Sequence, residues 1–351
     1  MPLRRGKIKP PLEVVVVDLN HNDLWWWNFL LKFDLFKDIR KDLNIVEKEM
    51  EKFVQTPSPL LTKTSSHLLL AGGKRLRPCF ALLAGKFHNY SLEKLLPLAV
   101  ALEMVHMATL VHDDVIDASL TRRGRPTVKA QWGDRISIHT GDYLFSRSLM
   151  LISGYTDKRI HSILAKVSVQ MCQGELQQLA TAYNVNQTKR DYFYKIKRKT
   201  ALLISASCQL GAIAVEAPDT IVKSLARYGH YLGMAFQITD DILDMTANEV
   251  ELGKAIGGDI RQGIITLPVI YALQEYHYKG RLPELLQKKN KNEEEVKEII
   301  NIIKDSGGIE YSFSVARKYL EKAKKELLKL PPVDCRKTFE LMTDYIYARS
   351  Y

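Results

Sequence analysis

A chain of 351 residues has room for one large domain or two ordinary ones, and its 46% hydrophobic and 26% charged content excludes a disordered or fibrous protein. Lys plus Arg number 51 against 40 Asp plus Glu, a net charge of +11 that attracts polyanions (nucleic acid, anionic lipid or diphosphates) without choosing among them. The four cysteines, Cys79, Cys172, Cys208 and Cys335, stand too far apart for a disulfide framework or a zinc-binding CxxC pair, which points to a reducing cytoplasm.

The chain starts basic (Arg4, Arg5, Lys7, Lys9) and reaches an apolar run from Leu24 to Leu31 that invites comparison with a signal peptide. Glu13, Asp18 and Asp23 interrupt the approach to that run, and no small-residue cleavage site follows it. Residues 1–36 therefore read as an extension, either touching an interface or partner or lacking order. From residue 37 helical spacing takes over, as in Leu95, Leu98, Ala99, Leu102, Val105 and His106. Glycine and proline fall between such segments, at Pro57/Pro59, Gly72-Gly73, Pro78, Gly124/Pro126, Pro218, Gly257-Gly258, Gly307-Gly308 and Pro331-Pro332. The pattern predicts about ten to twelve helices forming one all-α domain over residues 37–351. The longest charge-free stretch of interest, Ala201 to Val215, falls short of the ~20 apolar residues a membrane-spanning helix needs. Lys288 to Glu298 reads as a solvated loop leading into a helix.

Two acidic clusters carry the chemistry. Asp113, Asp114 and Asp117 lie in HDDVID, and Asp240, Asp241 and Asp244 lie in TDDILD. On a helix the first and last carboxylate of each cluster share a face, one turn apart. Both clusters follow apolar stretches, where carboxylates are costly unless a cation neutralises them. Paired hard oxygen ligands suit Mg²⁺, which keeps waters and bridges to substrate phosphates. A single DDxxD string is most simply a solvated helix turn; two copies at one spacing are much harder to explain that way. Three basic groups accompany them: GGKRLRP (Gly72 to Pro78), Arg122-Arg123-Gly124-Arg125, and Lys197-Arg198-Lys199-Thr200. Each alone passes for ordinary surface charge. Together with the carboxylates they make sense as a metal–diphosphate site.

GGKRLRP, HDDVIDASLTRRGRPT, GDYLFSRS, RKTALL and FQITDDILD occur in the order and spacing of the trans-prenyl diphosphate synthases, and from about residue 37 to the C-terminus the sequence resembles that family. Within it, RRGRPTVKAQW, SCQLGAIAV and the closing YIYARSY make the chain similar to the component 2 chains of the two-component bacterial heptaprenyl diphosphate synthases. The resemblance implies antiparallel helices around a deep central cavity, with the two aspartate motifs facing each other across its mouth. It implies an isopentenyl diphosphate site at Lys74, Arg77, His106 and Arg123. Mg²⁺ ligands would be Asp113, Asp117, Asp240 and Asp244. Arg122, Lys199, Thr200 and Gln237 would hold the allylic diphosphate, farnesyl diphosphate by expectation, with Lys254 as a further contact. For His106 the residues alone favour a packed core histidine.

The same resemblance implies metal-assisted ionisation, condensation and proton loss, a product used for quinone side chains, and a small, sequence-unrelated second subunit. A homodimer and a peripheral membrane contact for product release also fit. Ala108 and Thr109, one turn below Asp113 and both small, argue for a long product, although alanine there also suits a helix. One departure stands out: many relatives carry a lysine at the position held here by Ile264, so stand-alone activity is in doubt. A homomeric long-chain synthase of another product length and a non-catalytic subunit of a heteromeric synthase remain open. A terpene cyclase fits TDDILD poorly, a metal phosphohydrolase would need other His/Asp spacing, and nucleic-acid binding has no motif behind the charge.

Overall fold

A computed structural model describes residues 37–246, 256–274 and 280–348. The extension 1–36, Lys254 and the last residues of YIYARSY lie outside the described residues.

Three helices, α1 (Arg40–Phe53), α2 (Pro59–Leu70) and α3 (Leu76–Gly85), precede the long α4 (Leu92–Ile116) and a small hairpin of β1 (Thr121–Arg122) and β2 (Arg125–Pro126). The bundle continues with α5 (Val128–Ile152), α6 (Lys158–Ala180), α7 (Lys189–Ile196), α8 (Leu202–Ala214) and α9 (Asp219–Thr246). Then come α10 (Gly258–Gln262), α11 (Leu267–Gln274), α12 (Arg281–Gln287), α13 (Glu293–Asp305), α14 (Gly308–Leu327) and α15 (Asp334–Ala348). The fold is all-α. The described residues divide more finely than ten to twelve helices because short ones such as α10 and α12 end at turns that apolar spacing does not register.

Side-chain caps set most of the long helices' starts. Ser58, Ser91, Thr127 and Asp157 each sit in extended backbone and accept a first-turn N–H of α2, α4, α5 and α6. Thr188 with Asp191 forms a reciprocal capping box at the start of α7. The helix α4 is apolar on every side because α3, α5 and α8 all pack against it, which buries Leu95, Leu98, Leu102 and Val105. By length and composition this helix, rather than the Ala201–Val215 stretch, comes nearest to a membrane span, yet 67% of its most apolar window is buried inside the protein.

Small residues bring the site-bearing helices together. A Cβ on Gly229 would lie 2.8 Å from Ser205 Cα, and one on Gly233 would lie 2.6 Å from Ala201 Cα. These two glycines, one turn apart on α9, therefore let it close on α8 and on the residues just before it. The hairpin is a tight two-residue turn: Arg122 pairs with Arg125, and Arg123 (φ 52°) and Gly124 (φ 69°) both take left-handed backbone.

Candidate active site

The first acidic cluster ends α4, with Asp117 as its C-cap, and the second lies in the last turns of α9. In each cluster the middle aspartate is buried and anchored. Asp114 accepts a hydrogen bond from Arg122 Nε at 2.8 Å. Asp241 accepts from Tyr192 Oη at 2.6 Å and from Gln237 Nε2 at 2.7 Å. Asp113 and Asp240, on different helices, line one cavity of about 650 Å³. The middle residues hold each motif in place, and the first aspartate of each faces the cavity.

Between α7 and α8 the helix widens into a single π turn, Lys197–Ala201, a local change of winding common at functional sites. It places Lys199 and Thr200 on the cavity wall. Gly174 lets α6 approach this turn, since a Cβ there would meet Arg198 Cβ at 2.7 Å. The neighbouring Glu175 pairs with Lys199 at 3.1 Å. Burial works against the charged Lys199, but Glu175 and Asp113 outweigh it and hold its pKa above the ordinary lysine value. Thr200 Oγ1 donates to Gln237 Oε1 at 2.6 Å, so Thr200, Gln237 and Asp241 form one hydrogen-bonded chain.

Asp113 is pushed up to about 7, first by burial and then by Glu175 and Asp117, with Lys199 opposing. Such crowding of hard oxygen donors is a charge deficit that a divalent cation would cancel, so the residues present fit one. Among the described residues no three His, Cys, Asp or Glu side chains converge closely enough to hold a metal unaided.

Arg77 and His106 face the same cavity, His106 two turns before Asp113 on α4. The Arg77 Nε is buried without a hydrogen-bond partner, and burial lowers the guanidinium's pKa despite Glu103 nearby. His106 is held well below the usual histidine value by burial and by Arg77, Arg123 and Arg122, so its ring is neutral at physiological pH. A cationic wall with an unused donor is an anion site. Its loop is fixed from behind by Arg75, in left-handed backbone at φ 45°, which bonds Glu47 at 2.7 Å and the buried Glu103 at 3.3 Å. Arg123 donates to Gly72 O across the same loop.

The cavity wall thus includes Arg77, His106, Ala108, Thr109, Asp113, Lys199, Thr200, Gln237 and Asp240. Lys74, Asp117, Arg122, Arg123 and Asp244 are not on that wall. Arg122 is engaged with Asp114, and Asp244 accepts the backbone N–H groups of Gly258 and Asp259 at 3.2 and 3.1 Å, tying α10 to the motif. Glu175, Tyr192, Lys195 and Asp259 escaped the sequence reading. Only a small-residue step before a carboxylate, Gly174-Glu175, could have signalled the first of them.

The sequence profile of the polyprenyl synthetase family matches residues 58–303. The chain is 44% identical over 337 residues to heptaprenyl diphosphate synthase component 2 of Bacillus subtilis (strain 168), covering 96% of each chain. It is 47% identical over 317 residues to the protein of the same description from Geobacillus stearothermophilus, covering 90% of this chain and 98% of that one. The chain belongs to the polyprenyl synthetase family. It is a prenyltransferase. A solved polyprenyl synthase from Caulobacter crescentus CB15, complexed with calcium and isoprenyl diphosphate, superposes with a TM-score of 0.84 at 32% identity, covering 90% of this chain and 97% of that one. In this polyprenyl synthetase the wall below the aspartates is apolar. Ala108 and Thr109 of α4 lie across from Phe145 of α5 and from Met171, Cys172 and Leu176 of α6, and Thr109 Oγ1 is turned back onto His106 O at 2.7 Å. Leu176 is 67% exposed and Leu179 48%, so this wall continues onto the protein surface along α6.

Proposed function

We propose that the chain is the catalytic component of a two-component heptaprenyl diphosphate synthase, joining an allylic diphosphate to isopentenyl diphosphate and acting with a small second subunit. The observation that carries the reading is one cavity whose wall brings carboxylates and cations together with a run of apolar side chains. Residues 37–351 are the catalytic unit and residues 1–36 an extension to it.

Asp113, Asp117, Asp240 and Asp244 would hold Mg²⁺, which when bound would supply charge neutralisation at the leaving diphosphate. Lys199, opposite Asp113, and the Thr200–Gln237 pair orient that diphosphate. Arg77 and the neutral His106 bind the second diphosphate, which places the isopentenyl double bond beside the ionising carbon. No side chain on the cavity wall is needed as a base, because the departing diphosphate accepts the proton lost after condensation. The apolar residues around Ala108 keep water from the carbocation and receive the growing tail. Exposed apolar side chains on α5 and α6, Met150, Val169 and Leu176 among them, are a surface for the second subunit or for a second copy of the chain. The similarity to component 2 proteins and the Ile264 departure favour the two-component form over a self-sufficient homodimer. Prenyl transfer from farnesyl diphosphate to labelled isopentenyl diphosphate, with and without the second subunit, tests the reading. Full-length product from the purified chain alone would contradict its two-component part, and no product under any combination would contradict the whole.

A further inference from the structure

Part of the +11 charge gathers away from the cavity, where α9 and α14 pack side by side. Between Asp219 and Asp240 the helix α9 carries no carboxylate. Its exposed cations Lys223 and Arg227 stand one turn apart, and the half-buried His230 continues the row. On α14, Lys318, Lys322 and Lys325 are all exposed and, at spacings of four and three, share one face. The two rows meet at Lys322, whose Nζ lies 5.2 Å from the ring of Tyr319 and 5.9 Å from that of Tyr231 on α9; the two rings are 6.3 Å apart. Lys197, exposed on the π turn, extends the strip toward the cavity, since Lys199 of the same turn lies on the cavity wall. After burial, Lys197 and Lys322 both hold the His230 pKa down, at about 4, so the two cations converge on one ring. Nearby carboxylates are taken: Asp344 by Lys324 at 2.5 Å and Glu326 by Lys329 at 2.7 Å. Among the described residues no cation of the strip forms an ion pair, not even with Glu321, the one exposed carboxylate between Lys318 and Lys325. Like charges in a row repel one another, so the strip is unfavourable until an anionic surface meets it.

We infer that the strip along α9 and α14 is a docking face for the anionic surface of a lipid bilayer. Clustered Lys and Arg are drawn to anionic headgroups, each contributing about a fivefold factor in binding close to the surface. Tyrosines beside the cations suit the headgroup level, where an apolar ring with a polar tip is favoured. Nucleic acid is the weaker match among polyanions, because Tyr231 and Tyr319 are half-buried with Lys322 over both, and neither offers a free face for a base to stack on. The purpose of the contact, handing a polyprenyl product to a membrane, rests on the prenyl-synthase reading above. The contact itself needs no substrate.

The test uses the full chain without substrate and vesicles of phosphatidylcholine, alone or mixed with phosphatidylglycerol, with binding read by co-sedimentation. The wild type should pellet with the mixed vesicles, stay in solution with phosphatidylcholine alone, and be released by added salt. Lys318→Gln with Lys322→Gln should bind the mixed vesicles about twenty-five-fold more weakly. Arg227→Gln with Lys325→Gln should do the same, and it leaves the contacts of Lys322 with both rings untouched. Lys41→Gln with Lys48→Gln removes the same net charge from exposed positions on α1 and should change binding by about twofold at most. All three pairs should keep the wild-type melting curve and wild-type turnover without vesicles. Binding of wild-type strength in both strip pairs would overturn the inference. An equal loss in the α1 pair would also overturn it, since that marks net charge and not a face. A wild type that ignores the mixed vesicles but binds duplex DNA through the strip would overturn it in favour of nucleic acid. Prenyl transfer is assayed on the same preparations. Vesicle binding without any transfer would strike the parent reading alone, and transfer without vesicle binding would strike the docking face alone.

Discussion

Replacing Asp113 by Asn should stabilise the metal-free protein while removing its activity. The carboxyl of Asp113 sits at about 7 instead of 3.8, raised first by burial and then by Glu175 and Asp117. The folded chain therefore binds this proton more tightly than the unfolded chain does, and stability is lost as pH rises from about 4 to about 7, levelling off above. At 1.36 kcal/mol per pH unit the full effect is roughly 4 kcal/mol. Glu175 and Asp117 share in it, so the gain from an amide at pH 8 is about 2–4 kcal/mol, or roughly 3–6 °C in Tm. Melting curves in EDTA at pH 5 and pH 8 read this directly, because the advantage of Asp113→Asn over wild type should grow between the two. Turnover with Mg²⁺ should fall by several orders of magnitude in the same variant, since a transition-state charge term worth several kcal/mol is lost. A variant no more stable than wild type at pH 8, or equally favoured at both pH values, would show that no uncompensated charge is stored at the first motif.

Asp240→Ala should abolish prenyl transfer to a similar degree with the helical circular dichroism unchanged; near-normal turnover in Mg²⁺ would remove the second motif from the mechanism. Arg77→Met and His106→Ala should chiefly raise KM for isopentenyl diphosphate, because both hold that substrate in ground and transition state alike. A rise confined to the allylic substrate's KM would mean the two diphosphate sites are reversed. Ala108→Phe should shorten the product, seen by chromatography of the dephosphorylated alcohols, because a ring facing Phe145 and Met171 obstructs the growing tail; an unchanged distribution would put the floor of the cavity elsewhere.

Much of the site was legible because its chemistry is local in sequence. The one-turn spacing of Asp113/Asp117 and Asp240/Asp244 is fixed by helix geometry, and glycines and prolines mark where those helices are broken. The anchors of the middle aspartates were not legible. Tyr192 meets Asp241 from 49 residues away, and nothing local to an apolar helix announces such a partner. Glu175 looks like an ordinary surface charge until Gly174 brings α6 against the π turn that carries Lys199. The hairpin around Arg123-Gly124 was hidden as well, since strands of two residues carry no alternation to read. The apolar character of α4 was visible, but its burial on all sides is a property of the assembled bundle.

The measurement that bears most directly on the central claim is a single-vessel prenyl-transfer assay. The purified chain is given farnesyl diphosphate, labelled isopentenyl diphosphate and Mg²⁺, with the small second subunit present, and the reaction is repeated with Asp113→Asn and with EDTA. Labelled product extending well beyond twenty carbons in the complete mixture, and none in either control, is the expected result. Product of unchanged length and yield in EDTA or in the Asp113→Asn reaction would contradict catalysis by cations held between the two aspartate motifs.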